Sequence, residues 1–524
     1  MFREDRTNPA APVAATAEFI LDGDRPATRP AVRARRAPSR AAVVPRRRTP
    51  ISTAPPSLTP ALVPPPELRL LEATGDAALM AGYRALRREA FVQEQGLFDG
   101  HDLDAHDEDP RTRVLVVIER EGRVVGGVRV HPAQLTGRDI GWWRGSRLVA
   151  KPHRDLRAGS IGSALVQGAC RVATEEGVLR FDAHVQEHCE PFFTRLGWER
   201  TGAMTVAGMA HVAMRWPVGR FADLAGRTKS PIGRLTADLL PSDGPMAAWL
   251  GDDGMPLPGA DGLVACVDAI LPAMVERDPE WAGWCGMLVT AHDLSAMGAA
   301  PFAALDTIGA KDEATLARVI AGLKAGSEMF ELPIVGGHTQ LGTAGHLTVT
   351  GLGRTNSPIP AGGGRPGDTL QLTADLAGGW RPGYEGRQWD SSTTRTREEM
   401  REMLEAVGAA QPHAAKDVSM AGIVGTTGML AEASGCGAEL VVGQIPRPTG
   451  ATLAEWLTCF PGFAMVTATA PEAAPMPAGA ARSAACGALT EQPGVRLVWP
   501  DGEVTTAIGG PVTGLGATRF PTAT

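Results

Sequence analysis

The stretch KDVSMAGIVGTTGMLAEASGCGAELVVG, residues 416–443, opens on Lys416 and Asp417, runs into a helix over MAGIVGTTGMLAEASG (420–435) and ends in a strand, GAELVVG (437–443). Its acid therefore sits at the end of an element. Strands TLQLTAD (369–375) and GFAMVTAT (462–469) and a helix REEMREMLEAVGAA (397–410) flank it. Upstream of the Gly/Pro run SPIPAGGGRPGD (357–368), strands LVACVDAIL (263–271), LPIVGGHT (332–339) and HLTVTGLGR (346–354) alternate with helices over 284–299 and 312–330. Further acids fall at element ends: Asp252, Asp253, Asp268 and Asp293. Carboxylates converging from separate elements hold Mg²⁺, which bridges nucleotide phosphates. Positioning and charge neutralisation are most of what phosphoryl transfer needs. On composition alone, each of these Asp equally fits a turn or a cap.

The wording of this region, WLGDDG, VDAI, TAHDLSAMGAAP, IVGGHT and KDVSMAGIVGTTGMLAEASG, resembles the superfamily of aminoimidazole ribonucleotide (AIR) synthase, thiamine monophosphate kinase, selenophosphate synthetase and the hydrogenase maturation protein HypE. The resemblance covers about residues 222–510 and implies a two-domain α/β fold, with domains at 222–356 and 366–520. It implies ATP and Mg²⁺ as cofactors and a homodimer in which two first-half sheets close a barrel. Carried over, Asp252, Asp253, Asp268 and Asp293 are metal and nucleotide residues, and Lys416 and Asp417 face the phosphates. His338 stands where the family has Asp or Glu in GGDT or GGET. A neutral imidazole there removes one negative charge and favours Mn²⁺ or another transition metal over Mg²⁺. His292 replaces a common Asn, and Arg227-Thr228-Lys229-Ser230 stands as a remnant of the family's Lys-containing loop.

Residues 67–218 form a separate α+β unit. Residues 76–95 have helical spacing. RVLVVIEREGRVVGGVRVHP (113–132) reads as a hairpin, WWRGSRLVA (142–150) and LRFDAHV (179–185) as strands, 160–176 and PFFTRLGW (191–198) as helices, and MTVAGMAHVAMRW (204–216) as a last strand. The strand ending at Leu148-Val149-Ala150 leads through a basic loop to Gly159, Ser160, Ile161, Gly162 and Ser163 at a helix start. Exposed amides and the helix dipole make such a start an anion site, and it equally fits an ordinary Ser-capped helix.

RLVA followed by Arg157-Ala158-Gly159-Ser160-Ile161-Gly162, with FVQEQG (91–96), VQEHCEPFF (185–193) and FFTRLGW, resembles the GNAT acyl-CoA-dependent N-acyltransferases of the FVxEQ subgroup. The resemblance implies acetyl-CoA, with pantetheine along the strand at Leu148–Ala150 and the diphosphate on the turn Arg157–Ser163. Ser160 replaces the usual middle Gly, which implies altered rather than lost binding. Phe192-Phe193 stands where the family has a Tyr that protonates the CoA thiolate; His188 and Cys189 are its candidate replacements. The general base is Glu94, Glu187 or a water near His131. The two units in this order resemble an uncharacterised bacterial pair associated with nitrilase gene clusters. The reading is thus a multidomain α+β protein, a GNAT fold followed by an AIR synthase-like fold, acting on small nitrogenous metabolites. The missing Tyr and the His in GGHT leave a second reading, a non-catalytic regulatory or scaffold protein that binds acetyl-CoA and ATP.

Composition bounds both readings. The chain has 524 residues, 44% hydrophobic and 21% charged, with a net charge of −7. Residues 1–66 hold 13 prolines, and Arg25 to Arg48 includes nine arginines and no acid, so a disordered arm is expected there. The remaining body is acidic, which argues against nucleic acid as its main partner. No apolar run approaches the ~18 residues of a membrane span. The charged N-terminus lacks an apolar signal region, and seven widely spaced cysteines fit reduced thiols, so a cytoplasmic protein with small-molecule substrates is expected.

Overall fold

The computed structural model describes residues 68–152, 159–239, 241 and 244–518. The expected arm (1–66) and Arg157 lie outside the described residues. The described residues divide into two compact units, one running to residue 138 and resuming over 142–218, the other made of 139–141 and the residues from 219 onward.

In the first unit, β1 (Leu68–Glu72) leads to α1 (Ala77–Arg87), whose start is capped by Asp76 accepting from the amides of Ala78 and Leu79. The one helix expected over 76–95 widens after α1 into a π-helical turn, Arg88–Glu94. β2 (Arg113–Glu119) and β3 (Val124–Pro132) form the expected hairpin. β4 (Trp142–Ala150), α2 (Ser160–Glu175), β5 (Arg180–Gln186) and α3 (Glu190–Arg195) follow. The last expected strand is corrected: β6 (Glu199–Val206) and β7 (Met209–Trp216) form a hairpin. Ala207 and Gly208 both take left-handed backbone, φ 50° and 79°, and close a two-residue turn. Ala-Gly is a faint turn signal, so the alternation reads straight through it.

The sheet order is β1-β2-β3-β4-β5-β7-β6, with β4 and β5 the parallel pair. That pairing runs only from Trp142–Gly145 against Arg180–Ala183. Beyond it β4 continues with β3 and β5 with β7, so the two strands part. Just past the parting β4 bulges. Arg129 faces Ser146 and Gly127 faces Val149, leaving Arg147 and Leu148 opposite Val128 alone, with Arg147 at φ 53°.

In the second unit α4 (Arg220–Thr228) and α5 (Ile232–Thr236) precede β8 (Met255–Pro256), β9 (Leu263–Ile270), α6 (Pro272–Arg277), α7 (Pro279–Ala296), β10 (Ala300–Ala310), α8 (Glu313–Met329), β11 (Ile334–Leu341) and β12 (His346–Arg354). The five strands order as β11-β10-β12-β9-β8. Next come β13 (Thr369–Ala374), β14 (Gly379–Trp380), β15 (Gln388–Asp390), α9 (Arg397–Ala410), β16 (Ala414–Asp417), α10 (Gly422–Ala433), β17 (Gly437–Val441), α11 (Leu453–Thr458), β18 (Phe460–Pro461), β19 (Ala464–Thr469), β20 (Arg482–Thr490), β21 (Gly494–Val498) and β22 (Val504–Ile508). A seven-stranded sheet, β16-β19-β13-β20-β17-β21-β22, and a small sheet, β14-β15-β18, result.

Helix α7 is apolar on all sides and buried along almost its whole length, as a helix without a polar face must be. One core joins its Leu288 to Ala304 on the first sheet, to Met403 and Val407 of α9, and to Ala415 and Phe463 at the second sheet. The opposite face of the five-stranded sheet is uncovered: Val267 and Leu305 both pair with Thr350 and are 64% and 40% exposed. No helix of the described residues is long and apolar enough to cross a membrane.

Candidate functional site

Three elements of the second unit meet at carboxylates. Asp253 lies in the loop before β8, Asp293 in the last turns of α7, and Asp417 at the end of β16. Their oxygens lie within 4.8 Å of one another. Asp293 and Asp417 are buried, and both carboxyls are pushed well above the usual range, by burial first and then by neighbouring carboxylates. Lys416 is the cation bonded among them. The buried Lys416 ammonium donates to Asp253 and to the Gly251 carbonyl. Burial pulls its pKa down, but the charges of Asp253 and Asp252 win and raise it. The Asp417 amide donates to Asp253 at 3.0 Å.

The other sequence-predicted residues fall around this centre. Asp252 turns aside, accepting from the amides of Asp253 and Ala361, and burial pushes its carboxyl up to about 7. Asp268, on β9, is also raised by burial, with Lys229 drawing it down and Asp253 pushing it up. Lys229 ends α4 and acts on Asp417 as well, so the expected loop remnant is helical yet reaches the site. His338 does not join the three: it is exposed on β11, which pairs only with β10 at the sheet edge. His292 is fully buried with its ring against Phe463, centroids 5.5 Å apart. Neighbours on a helix point about 100° apart, so His292 and Asp293 do not share a target. Asp417, expected to face phosphate, is one of the converging carboxylates. The all-oxygen, acidic donor set suits a hard divalent cation such as Mg²⁺.

The first unit holds a cavity of about 260 Å³ where β4 and β5 part. Asp104, His106, Arg129, His131 and Ser146 make its polar wall. Behind them is a buried ionic centre. Arg87 bonds Asp102 at 2.7 Å and Asp107 at 2.5 Å. Arg129 bonds Asp104 at 2.7 Å and Asp107 at 2.8 Å, and Arg147 bonds Asp104 at 3.0 Å. Burial works to raise the Asp107 pKa, but Arg87 and Arg129 hold it well below the usual carboxylate range.

His131 is pushed down to about 3 by burial, then by Arg129 and His106. Its Nδ1 lies 2.8 Å from the Pro132 carbonyl oxygen, which can only accept, so Nδ1 carries the proton. Its Nε2 then accepts from Ser146 at 3.0 Å. His106 stacks on His131, centroids 3.9 Å apart, and its pKa is lowered, by burial first. The His106 Nδ1 is buried without a hydrogen-bond partner among the described residues.

Glu94, Glu187 and His188 are exposed and do not line this cavity. Glu94 is on the π-helical turn, and Glu187 and His188 lie just after β5, turned outward. Leu148, Val149 and Ala150 sit beyond the parting of β4 from β5, with Val149 and Ala150 buried. Gly159, at φ 88°, makes the left-handed turn into α2, and Ser160, Ile161, Gly162 and Ser163 form its first turn, the Ser163 amide donating to the Gly159 carbonyl at 2.8 Å. Sequence reasoning missed the Arg/Asp centre. Its signal was DLDAHDED (102–109), an acid run between apolar elements that bury Arg87 and Arg129.

Residues 251–355 match the family described as AIR synthase related protein, N-terminal domain, and residues 365–500 match its C-terminal domain. An uncharacterised protein of Synechocystis sp. is 35% identical over 232 residues, 43% of this chain and 72% of that protein. The chain belongs to the AIR synthase related family through this region. The thiamine-monophosphate kinase of Methanospirillum hungatei is 31% identical over 171 residues, 32% of this chain and 58% of the kinase. Among solved structures, T. maritima PurL complexed with ATP is similar at a TM-score of 0.47 and 16% identity, over 59% of this chain and 54% of that one.

Proposed function

We propose that the chain carries two active sites, ATP-dependent phosphoryl transfer in the second unit and N-acyl transfer from a CoA thioester in the first, both on small nitrogenous metabolites. The convergence of Asp253, Asp293 and Asp417 carries the first half. Converging carboxylates that outnumber the lysines beside them are costly alone and are relieved by a cation. The similarity to a thiamine-monophosphate kinase supports a nucleotide as the ligand. Asp253, Asp293 and Asp417 would hold Mg²⁺, which when bound supplies charge neutralisation on the phosphates. Lys416 and Lys229 give the site its own positive charge. The acceptor's oxygen or nitrogen bonds to the γ-phosphorus, the bond to the bridging oxygen breaks, and ADP leaves. The uncovered face around Val267 and Leu305 is the surface on which two copies would pair.

The parting of β4 and β5 and the turn at Gly159 support the second half. Pantetheine would pair along Leu148–Ala150, with the diphosphate on the amides that open α2. A neutral amine attacks the thioester carbon, the C–N bond forms and the C–S bond breaks. His106, neutral and with Nδ1 unpartnered, takes the amine proton and returns it to the departing thiolate, the role a Tyr has in the resembled family. It replaces Glu94, Glu187 and His188 as the proposed acid–base.

Calorimetric titration of ATP into the full chain tests the first half. Binding that requires Mg²⁺ and is abolished by Asp293→Ala is expected; no binding with Mg²⁺ or Mn²⁺ ends it. For the second half, thiol release from acyl-CoA in the presence of an amine pool should fall at least a hundredfold in His106→Gln.

A further inference from the structure

We infer that the acyl group handled by the first unit is a medium-length hydrocarbon chain rather than acetyl. This rests on the acyltransferase reading above and narrows it. The cavity has two unlike walls. Besides the polar wall and His184, Gln186 and His211, the lining includes six largely apolar side chains, Val166 and Ala169 of α2, Phe181 and Val185 of β5, Phe193 of α3, and Trp198. All six are buried, none more than 8% exposed. None offers a charge, and water in a cavity needs two to four polar partners to stay. This wall therefore suits a hydrocarbon, neither solvent nor a charged acceptor.

Size separates acetyl from longer chains. An engineered cavity of about 150 Å³ lined by Leu, Ile and Phe takes up benzene, six carbons. The space here is about 260 Å³. An acetyl methyl would leave most of the apolar wall bare, and bare wall is lost contact. A chain of roughly six to ten carbons would cover it.

The entrance fits the same ligand. Gly145 is the last β4 residue paired with β5, opposite Ala183, and a Cβ on Gly145 would stand 3.5 Å from the Phe181 ring. The two strands part beside small residues, and the apolar wall lies behind them. A thioester held at the β4 bulge would place its carbonyl near the polar wall and His106, with its chain running through the parting toward Phe181 and Trp198. The amine then approaches from the polar wall, and the two substrates do not compete for space.

The test is a series of CoA thioesters, acetyl, butyryl, hexanoyl, octanoyl and decanoyl, titrated into the full chain by calorimetry, with free CoA as reference. Each buried methylene tightens binding about fourfold. A rise of at least a hundredfold from acetyl- to octanoyl-CoA is expected, and Ala169→Phe, which fills the wall, should move the optimum to shorter chains. Affinity that is flat or falling with chain length overturns the inference while leaving the acyltransferase reading in place. Failure of every thioester and of free CoA to bind ends the acyltransferase reading and the inference with it. Should Ala169→Phe fail to fold, the wild-type series alone decides.

Discussion

Both units bury a cluster of charges, and the clusters differ in balance. In the first unit Arg87, Arg129 and Arg147 face Asp102, Asp104 and Asp107, each carboxylate bonded to guanidinium. In the second, Asp253, Asp293 and Asp417 converge and Lys416 bonds one of them. A balanced cluster satisfies itself and fixes a loop to a sheet. An unbalanced one is left with charge that the fold does not neutralise, and that excess is where a ligand gains its binding energy. Burial alone does not separate structure from function here, whereas the sum of charges does.

The largest effect should come from breaking the balanced cluster. Arg87→Ala leaves two buried carboxylates short of a partner and should cost about 3–5 kcal/mol, read as a fall in the urea midpoint of the first unit. Next is the cation expected at the unbalanced cluster. Mg²⁺ with ATP at a hundredfold excess over Kd should stabilise the second unit by about 2.7 kcal/mol in thermal melts, and Asp417→Ala should erase the gain.

The sharpest contrast is one substitution made in each unit. Asp293→Asn relieves repulsion and should stabilise the protein without cation by roughly 1 kcal/mol, whereas Asp107→Asn should destabilise by at least as much. Equal signs in chemical denaturation would erase the distinction between the clusters. A further effect is with pH. The His131 pKa is about 3 folded against an ordinary 6.5, so the unfolded chain takes the proton first. The first unit should therefore lose stability as pH falls from about 6.5 toward 3, by at most about 1.4 kcal/mol per pH unit. His131→Gln should flatten that slope.

Local periodicity made much of the fold legible. The β2–β3 hairpin, β4, α2 and the alternation through β12 follow directly from it. What failed was punctuation, as at Ala207-Gly208, where two left-handed residues carry no strong turn signature. The site was half legible for a different reason. Asp253 and Asp293 stand out as acids in apolar surroundings, but that Asp417 joins them and His338 does not depends on which strand is an edge and which end of β16 meets α7. Those are facts of tertiary packing. The ionic centre went unread because Arg87 and Arg129 look like surface charges until Asp102 and Asp107 arrive from a loop.

The Asp417 amide and the Asp253 carboxylate that accepts from it are separated by 164 positions. A ribosome adding about 5–20 residues per second delivers Asp417 on the order of ten seconds after Asp253. During synthesis, then, α7 and its sheet can form with Asp293 facing few like charges. The repulsion comes into being only when β16 docks, so a cation held there would arrive at the completion of the fold rather than at its start.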